Sequence, residues 1–491
     1  MQNNNKVVIL ETIIKLFELL KTNKVSYCHW KSTNHLKETM EGITDIDVLF
    51  DSNQANLVEK LILEMGFERF ETANLRSYPG IHDYICLDES GKWVHIHLHF
   101  ILNLGDRWVK AYRFPIEKEM LSRALYIDEY NTYIVNPYDE LMLFCLRMSL
   151  KHHSPFNNKG IWEELLFLKD KCKNANLAYE DFHQYFKSIG QILKYILSTD
   201  KLNKRKLNSL SYKIARELSI FRRFSFIKFK YLSIKRKIYR YYIEFRRRKL
   251  TNFAIGRRAI PTGGKIIAIV GIDGSGKTST LSHIEKLFSI QMNVCKVFLG
   301  NGKSGASWYR KIIFLIHGTK VKKRNSNNSE ELIPRKKQKV SWLYALWILV
   351  CLFDKERNLK SSISAKANGS LVISDRWPQR EVVGTFDGSR INVDNPRNRI
   401  VRYVKRREQK FLLLASLIKP DLIIRLRISA ETSLIRKPGE LTMNQAEQNS
   451  QLLNDIEWGK TKIFDVDADK SIEEVNKCVR NIMWSQITDT F

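Results

Sequence analysis

One eight-residue segment constrains the fold of this chain more than any other feature. Gly271-Ile272-Asp273-Gly274-Ser275-Gly276-Lys277-Thr278 satisfies the pattern G-x-x-x-x-G-K-[ST], directly after the apolar run Lys265–Val270 and directly before the helical pattern Thr278–Phe288. Between a strand and a helix, glycines let backbone N–H groups surround phosphate oxygens, and the helix N-terminus adds a favourable dipole. The alternative is a glycine-rich turn that matches the pattern by chance. The flanking elements and two further motifs favour a phosphate-binding loop.

The residue types of this loop predict how ATP and Mg²⁺ would be held. Lys277 would neutralise the β- and γ-phosphates, and the Thr278 hydroxyl would complete the Mg²⁺ shell. Lys277 is therefore a predicted catalytic residue as well as an ATP ligand. The other predicted ATP contacts within the loop are Gly271, Gly274, Ser275 and Gly276.

Two further motifs extend the predicted site. Asp375 and Arg376 end the apolar strand pattern Leu371–Ser374, where an acid beside the loop's own strand would hold the metal and the planar guanidinium would grip a phosphate. A surface salt bridge is the alternative. Arg436, at the end of a helical pattern, would close over the transferring phosphoryl group as part of a lid. A solvated helix C-terminus stabilised by cations is the alternative for Arg436.

The region from about residue 260 to residue 487 resembles thymidylate kinases and their relatives. The resemblance implies an ATP-dependent kinase in which Asp273 acts close to the acceptor and the metal, and Arg376, after Asp375, contacts the acceptor's phosphate. It also implies that Ala468 borders the adenine and that Arg436 is the lid arginine. The segments that carry the resemblance are Gly271–Thr278, Val372-Ile373-Ser374-Asp375-Arg376-Trp377, Lys419-Pro420-Asp421-Leu422-Ile423-Ile424 and Asp465-Val466-Asp467-Ala468.

This chain departs from the family pattern where thymidylate kinases frame the thymine base. It has Trp377-Pro378-Gln379-Arg380 and Phe386-Asp387-Gly388-Ser389-Arg390 in place of the family's Tyr and Ser…Ala-Tyr-Gln segment. Gly300-Asn301-Gly302-Lys303 replaces the family's Arg-Glu-Pro-Gly stretch. The resemblance therefore predicts a kinase more strongly than it predicts dTMP as acceptor, and the acceptor is a nucleotide or another small molecule.

The overall pattern predicts an α/β protein in three parts. Residues 259–491 alternate helices with apolar strand patterns that include Leu371–Ser374 and Asp421–Ile428, which favours a parallel sheet of the P-loop NTPase type with helices on both faces. Ile260-Pro261-Thr262-Gly263-Gly264 is the linker before this domain, Thr319–Val340 is a predicted mobile insertion, and Ser471 begins the last helix with a capping box to Glu474.

Residues 1–135 predict a smaller α/β domain, with strand patterns at His82–Leu87 and Trp93–Phe100 and a row of polar side chains. Asp45 and Asp47 are two residues apart on a predicted strand, so both carboxylates face one side and could hold Mg²⁺. His95, His97 and His99 alternate in the same way and could bind a softer metal ion, with a polar sheet face as the alternative.

The polar row also carries a second resemblance. With Trp30-Lys31-Ser32, whose Ser32 and Thr33 match the family's helix-opening small residues, residues 20–105 resemble an uncharacterised bacterial nucleotidyltransferase-fold family. Its third carboxylate is replaced here by His97. An active transferase and a degenerate fold used for binding both stay open.

The middle part, residues 136–258, has helical periodicity and carries most of the positive charge. The whole chain has a formal net charge of +30, and residues 201–250 contain eighteen Lys and Arg but only two acidic residues, Glu217 and Glu244. Aromatic residues are interleaved with these cations, which suits an anionic membrane surface or nucleic acid. No nucleic-acid-binding motif accompanies the segment, so we expect no nucleic acid. A basic helical hairpin with aromatic residues in its core is the third interpretation.

Two functional hypotheses follow from the sequence. The first is an ATP- and Mg²⁺-dependent phosphotransferase; the second is a membrane- or glycan-associated protein of surface-polysaccharide assembly whose ATP site regulates. The seven scattered cysteines form no CxxC pair, and no signal peptide is visible, so we expect a cytoplasmic protein that could associate with the inner membrane face. The apolar run Trp342–Phe353 is too short to span a bilayer and is predicted to be a buried helix. A homodimer stays open.

Overall fold

The chain is described by a computed structural model that covers residues 9–72, 77–106, 108–175, 187–249, 253–254, 256–300, 340–439 and 441–489. Contacts between Cα atoms divide it into two compact units, Met1–Phe245 and Arg246–Phe491. The α/β fold class is confirmed. The three-part division at residues 135 and 258 stays a prediction, and most of the predicted insertion, residues 319–339, lies outside the described residues.

The first unit contains nine strands and nine α-helices among its described residues, and the last helix continues past Phe245 to Lys249. In chain order they are α1 (Glu11–Thr22), β1 (Tyr27–His29), α2 (Leu36–Met40), β2 (Ile46–Phe50), α3 (Ala55–Glu64), β3 (Glu68–Thr72), β4 (Ile81–Leu87), β5 (Trp93–His99), β6 (Asn103–Leu104), β7 (Tyr112–Arg113), α4 (Glu117–Ser122), β8 (Leu125–Ile127), β9 (Thr132–Ile134), α5 (Pro137–Lys151), α6 (Lys159–Asn174), α7 (Lys187–Ser198), α8 (Lys204–Glu217) and α9 (Phe226–Lys249).

A mixed sheet forms the centre of the first unit, with strands in the order β3-β4-β5-β2-β1-β9-β8. Strands β2 and β5 run parallel, while β4 is antiparallel to β5. Two apolar clusters flank this sheet. One joins α1 and α3 to the strands; the other joins Cys28, Trp30 and Leu49 to the helices α5, α7 and α8. The helical segment after residue 136 thus shares a core with the polar strands before it.

The second unit is built around a single sheet. Its elements are β10 (Phe253–Ala254), β11 (Arg258–Ala259), β12 (Ile266–Gly271), α10 (Lys277–Ser289), β13 (Val294–Phe298), α11 (Trp342–Ala367), β14 (Leu371–Asp375), α12 (Arg399–Ile418), β15 (Leu422–Arg427), α13 (Ala430–Arg436), α14 (Met443–Asn454), β16 (Ile463–Asp467) and α15 (Ile472–Ile487). Except at their last residues, β12 and β15 are buried throughout, as is all of β14, which explains their continuous apolar sequence.

The order of the strands places β12 at the centre of the second unit's sheet. The sheet runs β10-β13-β14-β12-β15-β16, and all neighbours from β13 to β16 are parallel. The chain extends the sheet first to one side of β12 and then to the other. In open parallel sheets such a reversal leaves a crevice at the carboxyl ends of the strands, where ligands bind. The segment after β12 is Gly271–Thr278.

The predicted cap of the last helix is confirmed. Ser471 is the N-cap of α15: its hydroxyl accepts from the backbone N–H of Glu474, and the Glu474 carboxylate accepts from the backbone N–H of Ser471. The two orphan donors at this helix end therefore have partners. The strand patterns that predicted β12, β14 and β15 are also confirmed to within one or two residues.

The prediction of a buried helix at Trp342–Phe353 was only partly right. The run is helical within α11, but Trp342 and Leu343 are 48% and 58% exposed, and Phe353 is 48% exposed. A helix on a sheet buries one stripe, here Ala345, Ile348 and Cys351, so an apolar run around the whole helix leaves some side chains outside. No described helix combines the length and apolar character that spanning a bilayer requires.

Helix α9 contradicts the interpretation of the basic segment as a hairpin with an aromatic core. Tyr231, Tyr241 and Phe245 are 60%, 62% and 57% exposed. The helix is a single 24-residue element, and its sequence mixes cations with apolar residues along its whole length. These three aromatic side chains therefore lie outside a core, whereas Phe221, in the same basic segment, packs against an apolar cluster of the first unit.

Candidate functional site

The loop between β12 and α10 has the backbone that the motif requires. Gly274 and Gly276 have φ values of +87° and +85°, which residues with a side chain rarely adopt, and Gly276 is the N-cap of α10. A Cβ at Gly274 would lie 3.0 Å from the carbonyl oxygen of Ser433. The Ser433 hydroxyl donates to the carbonyl of Asp273 at 2.7 Å. The loop is therefore shaped by its glycines and tied to α13.

Lys277 is buried at the start of α10 and folds back over the loop. Its Nζ donates to the carbonyls of Gly271 at 2.9 Å and Ile272 at 2.7 Å, and lies 3.9 Å from Oδ1 of Asp273. Burial, together with the positive charge of Arg376, lowers the pKa of Lys277 to about 8. An anion bound beside Lys277 would favour the charged form of its ammonium group and raise this pKa. Thr278, the next residue, is exposed.

Asp375 lies at the end of the strand next to β12, where the sequence predicted it. It pairs with Ile269 across β14 and β12. Its Oδ1 is buried and accepts no hydrogen bond from any residue that the structure describes. Burial raises the pKa of Asp375, although Arg376 and Lys277 oppose this. A buried carboxylate oxygen without a donor, together with a hydroxyl at Thr278, is a donor set that suits Mg²⁺.

Arg376 faces two carboxylates from a strained backbone position. Its guanidinium is 3.9 Å from Asp273 Oδ1 and 3.7 Å from Asp387 Oδ2. These distances describe ion pairs rather than hydrogen bonds, so the donors stay available to a ligand. The φ of Arg376 is +73°, a conformation that costs energy for a residue with a side chain and is concentrated at functional sites.

A cavity beside Arg376 contains an acid that the sequence analysis did not select. The cavity, of about 20 Å³, is lined by Val270, Gly271, Arg376, Trp377, Phe386, Asp387, Leu453 and Trp458. Asp387 is 1% exposed, its oxygens accept no hydrogen bond from the described residues, and it lies 3.6 Å from the buried ammonium of Lys355. Phe386 and Asp387 both have positive φ, 46° and 60°. In the sequence, Asp387 stands in a segment that departs from the thymidylate kinase pattern. A glycine often marks a positive φ in a sequence, but an aspartate does not mark it as clearly.

The structure brings Arg436 and Ala468 together. The Arg436 guanidinium donates to the carbonyl of Ala468 at 2.9 Å, and Ala468 is buried. The two residues were predicted separately, as a lid residue and as an adenine contact. Arg436 has no described contact with Lys277, Asp375 or Arg376. Its neighbour Lys437 is close enough to lower the pKa of Lys277 further.

In the first unit, the predicted row of carboxylates and imidazoles is present. Asp47 on β2 pairs with His97 on β5, and its Oδ1 is 3.1 Å from His97 Nδ1 and 3.1 Å from His99 Nε2. Asp45 precedes β2, and its Oδ1 is 2.7 Å from His95 Nδ1. The alternation predicted for these residues places them on one face of the sheet.

Asp83 is a further carboxylate in this row that the sequence analysis missed. It lies on β4 opposite His97, and its Oδ1 is 2.9 Å from His95 Nε2 and 3.0 Å from His97 Nε2. The sequence signal was an acid inside the strand pattern His82–Leu87. It could be used only once β4 was known to be the neighbour of β5.

The surroundings shift the pKa values of the acids and imidazoles in this row, and they shift those of His97 and His99 in opposite directions. Burial alone would raise the pKa of Asp47, but Lys31 and hydrogen bonds from His97 and His99 hold it well below its ordinary value. Burial lowers the pKa of His99 to about 4. Burial opposes the charge of His97 as well, yet Asp47 and Asp83 raise its pKa to about 9. His97 is thus a cation between two carboxylates at neutral pH.

These side chains form two groups that could each hold a metal ion. One is Asp45, His95 and His97; the other is Asp47, His97 and His99; within each, the donor atoms lie within 4.8 Å of one another. Imidazole donors favour Zn²⁺ over Mg²⁺. The Mg²⁺ predicted at Asp45 and Asp47 stays a prediction, and the donor set suits a softer ion better.

Half-buried cations lie on the Trp30 side of Asp47. Lys31 Nζ is 2.6 Å from Asp47 Oδ1, and both Lys31 and Arg147 lie over the Trp30 ring, 5.3 Å and 5.9 Å from its centroid. Burial, together with the charges of Lys151, Lys31 and Arg147, lowers the pKa of Lys110 to about 7. Burial and the neighbouring Arg147 lower the pKa of Lys151 to about 8. These cations repel one another across a small region.

Comparison with known proteins finds two similar proteins of Escherichia coli K12. The chain is 28% identical to the uncharacterized ATP-binding protein YghR over 214 residues, which cover 43% of this chain and 83% of YghR. It is 24% identical to the uncharacterized ATP-binding protein YghS over 216 residues, which cover 43% of this chain and 89% of YghS. No family model matches the chain. The similarity thus covers less than half of this chain and most of each relative.

Proposed function

We propose that the second unit is an ATP- and Mg²⁺-dependent phosphotransferase that phosphorylates a small acceptor. One observation carries this proposal. Lys277 follows β12 at the start of α10, Asp375 ends the neighbouring parallel strand β14, and one carboxylate oxygen of Asp375 accepts no hydrogen bond from the described residues. The names of YghR and YghS, both ATP-binding proteins, support the nucleotide half of the proposal.

The residues of the loop would bind the donor. Lys277 would exchange its bonds to the Gly271 and Ile272 carbonyls for the β- and γ-phosphates, and the N-terminus of α10 would add its dipole. Asp375 and Thr278 would hold Mg²⁺, which when bound neutralises charge that develops on the phosphoryl oxygens. Ala468 and Arg436 would border the nucleotide from the loop after β16.

Two charged residues would position the acceptor. Arg376 would grip a phosphate or hydroxyl of the acceptor with its free N–H donors, and Asp273, half-exposed at the loop, would orient the acceptor toward Lys277. The cavity at Trp377 and Asp387 borders the Arg376 guanidinium, so the part of the acceptor next to its phosphate or hydroxyl would lie beside these residues. A nucleoside monophosphate and a sugar both meet these requirements.

The test is to compare ATP consumption by the full chain and by Lys277→Ala with nucleoside monophosphates, sugars and lipid-linked sugars as acceptors. We expect the variant to lose on the order of 10²-fold or more in turnover, because it lacks the cation that offsets transition-state charge. Lys286→Ala, an exposed lysine on the same helix, is the control and should turn over normally.

Two results would contradict the phosphotransferase. Undiminished turnover in Lys277→Ala would show that the loop does not bind the phosphates of ATP for catalysis. ATP that binds tightly to the native chain but is never consumed with any acceptor would favour the alternative hypothesis of a regulatory nucleotide site.

A further inference from the structure

Helix α9 presents a continuous apolar stripe to solvent. The side chains of Ile227, Tyr231, Ile234, Ile238, Tyr241 and Phe245 are 81%, 60%, 59%, 63%, 62% and 57% exposed. Their spacing alternates between four and three residues, so they lie along one face over the length of the helix. Scattered exposed apolar residues are ordinary on a protein surface, whereas a continuous row marks an interaction surface.

The opposite face of α9 fixes the helix to the first unit. Arg236 donates to the carbonyl of Trp108 at 3.0 Å and lies 5.0 Å from the centroid of the Tyr78 ring. The Arg240 guanidinium lies 5.6 Å from the centroid of the Trp108 ring. Because these contacts hold α9 by its inner side, the apolar stripe is directed away from the first unit's core.

The charge of α9 indicates which partner covers the stripe. The helix contains ten Lys and Arg and one acid, Glu244. Lys228, Lys230, Lys235 and Lys237 are exposed close to the stripe. A second copy of the helix would bring ten more cations to the seam and only one more acid, which disfavours a coiled coil. Nucleic acid would satisfy the cations and leave the isoleucines in water.

An anionic bilayer surface satisfies both features of the helix. Its acyl boundary accepts the isoleucine and aromatic side chains, and its headgroups attract the flanking lysines and arginines. Tyrosine suits this boundary because its ring is apolar and its hydroxyl is polar. A helix of 24 residues is about 36 Å long, so lying flat it would place six apolar residues in one plane.

We propose that α9 is an amphipathic membrane anchor that lies in the surface of an anionic bilayer through the stripe from Ile227 to Phe245. The helix binds reversibly and in the plane of the membrane. The proposal does not depend on the phosphotransferase activity of the second unit, since it uses none of that unit's residues.

The experiment is co-sedimentation of the full chain with vesicles of phosphatidylcholine and phosphatidylglycerol, compared with vesicles of phosphatidylcholine alone. We expect binding to the anionic vesicles that weakens with salt. Ile234→Ser/Ile238→Ser should lower the bound fraction at least tenfold, and Lys235→Gln/Lys237→Gln should lower it and reduce its salt dependence. The matched control is Ile43→Ser/Leu417→Ser, which removes two exposed apolar residues outside α9 (65% and 70% exposed) and should bind normally.

Circular dichroism of each variant checks that it is folded. We expect unchanged spectra, because the substituted side chains on α9 are exposed and make no core contact. Three outcomes would overturn the proposal: equal binding by the Ile234→Ser/Ile238→Ser variant, a concentration-dependent dimer that the same variant abolishes, or duplex DNA binding tighter than vesicle binding and insensitive to the isoleucine substitutions.

Discussion

At the scale of single residues, Lys110 and Lys277 are held where their positive charge is disfavoured. Burial is the main cause for both, and neighbouring cations add to it. A group whose charged form is destabilised in the folded state makes stability and binding depend on pH. The two lysines differ in consequence, because Lys277 lies in a candidate ligand site with a carboxylate nearby, whereas the closest charges to Lys110 are mostly cations.

Lys110 should destabilise the fold in a pH-dependent way. Its pKa is about 7 in the folded chain and about 10.4 when unfolded. Between these values the unfolded state binds more protons, so the penalty is full below pH 7 and shrinks as the pH rises toward 10. We expect Lys110→Met to raise the free energy of unfolding by on the order of 1 kcal/mol at pH 6 and by less at pH 9.

Thermal unfolding at the two pH values measures this effect. Lys118→Met, at an exposed lysine of α4, serves as the control and should leave the melting temperature unchanged at both. A gain from Lys110→Met that is the same at pH 6 and pH 9 would show that the effect comes from packing and not from charge.

Lys277 should take up a proton when ATP binds. At pH 8, close to its pKa of about 8, the ammonium is only partly charged, and the phosphates would draw the equilibrium to the charged form. We expect an uptake of about half a proton per ATP at pH 8. Calorimetric titrations in two buffers of different ionisation enthalpy measure it. Lys286→Gln should retain the uptake and Lys277→Gln should lose it; an uptake of zero in the native chain would contradict the assignment.

At the scale of elements, the capping box of α15 offers a direct test of a feature that was read from sequence. Ser471→Ala removes the hydroxyl that accepts from the Glu474 N–H at 3.3 Å. We expect a loss of about 1 kcal/mol in the free energy of unfolding of the second unit, measured by urea denaturation. Ser364→Ala on α11, where the serine is exposed within a helix, should cost nothing because alanine favours helix more than serine does. Equal effects of the two substitutions would show that the cap is not formed.

Elements differed in how well the sequence predicted them. The strands β12, β14 and β15 were predicted closely because strands buried on both faces have continuous apolar runs bounded by turn residues. The basic segment was predicted as helical, but periodicity alone could not decide whether its aromatic residues face a core or solvent. That depends on whether a neighbour exists, which is a property of tertiary packing.

At the scale of the molecule, the sequence predicts site residues that follow from local patterns but not those that depend on the order of the strands or on irregular turns. The loop at Lys277, the acid at Asp375 and the polar row at Asp47 follow from local patterns. Asp83 and Asp387 do not. Asp83 joins His97 only because β4 is the antiparallel neighbour of β5, and Asp387 enters its cavity through a turn with two positive φ values and no periodic signal.

The two units also differ in how their sites are built. In the first unit, strand register sets adjacent carboxylates and imidazoles at hydrogen-bond distance, so the row is fixed by the sheet itself. In the second unit, the site is a loop and two strand ends, and its charged groups are 3.6 Å to 3.9 Å apart. That spacing leaves room for a ligand to come between them.

The central position of β12 has a consequence for synthesis of the chain on the ribosome. Its partners β14 and β15 begin at residues 371 and 422, long after Gly271 has been made. A nascent chain that has just exposed Gly271–Thr278 holds this loop on a strand with unpaired edges, which favours association with other chains. We therefore expect that slowing translation between residues 271 and 422 lowers the yield of folded protein.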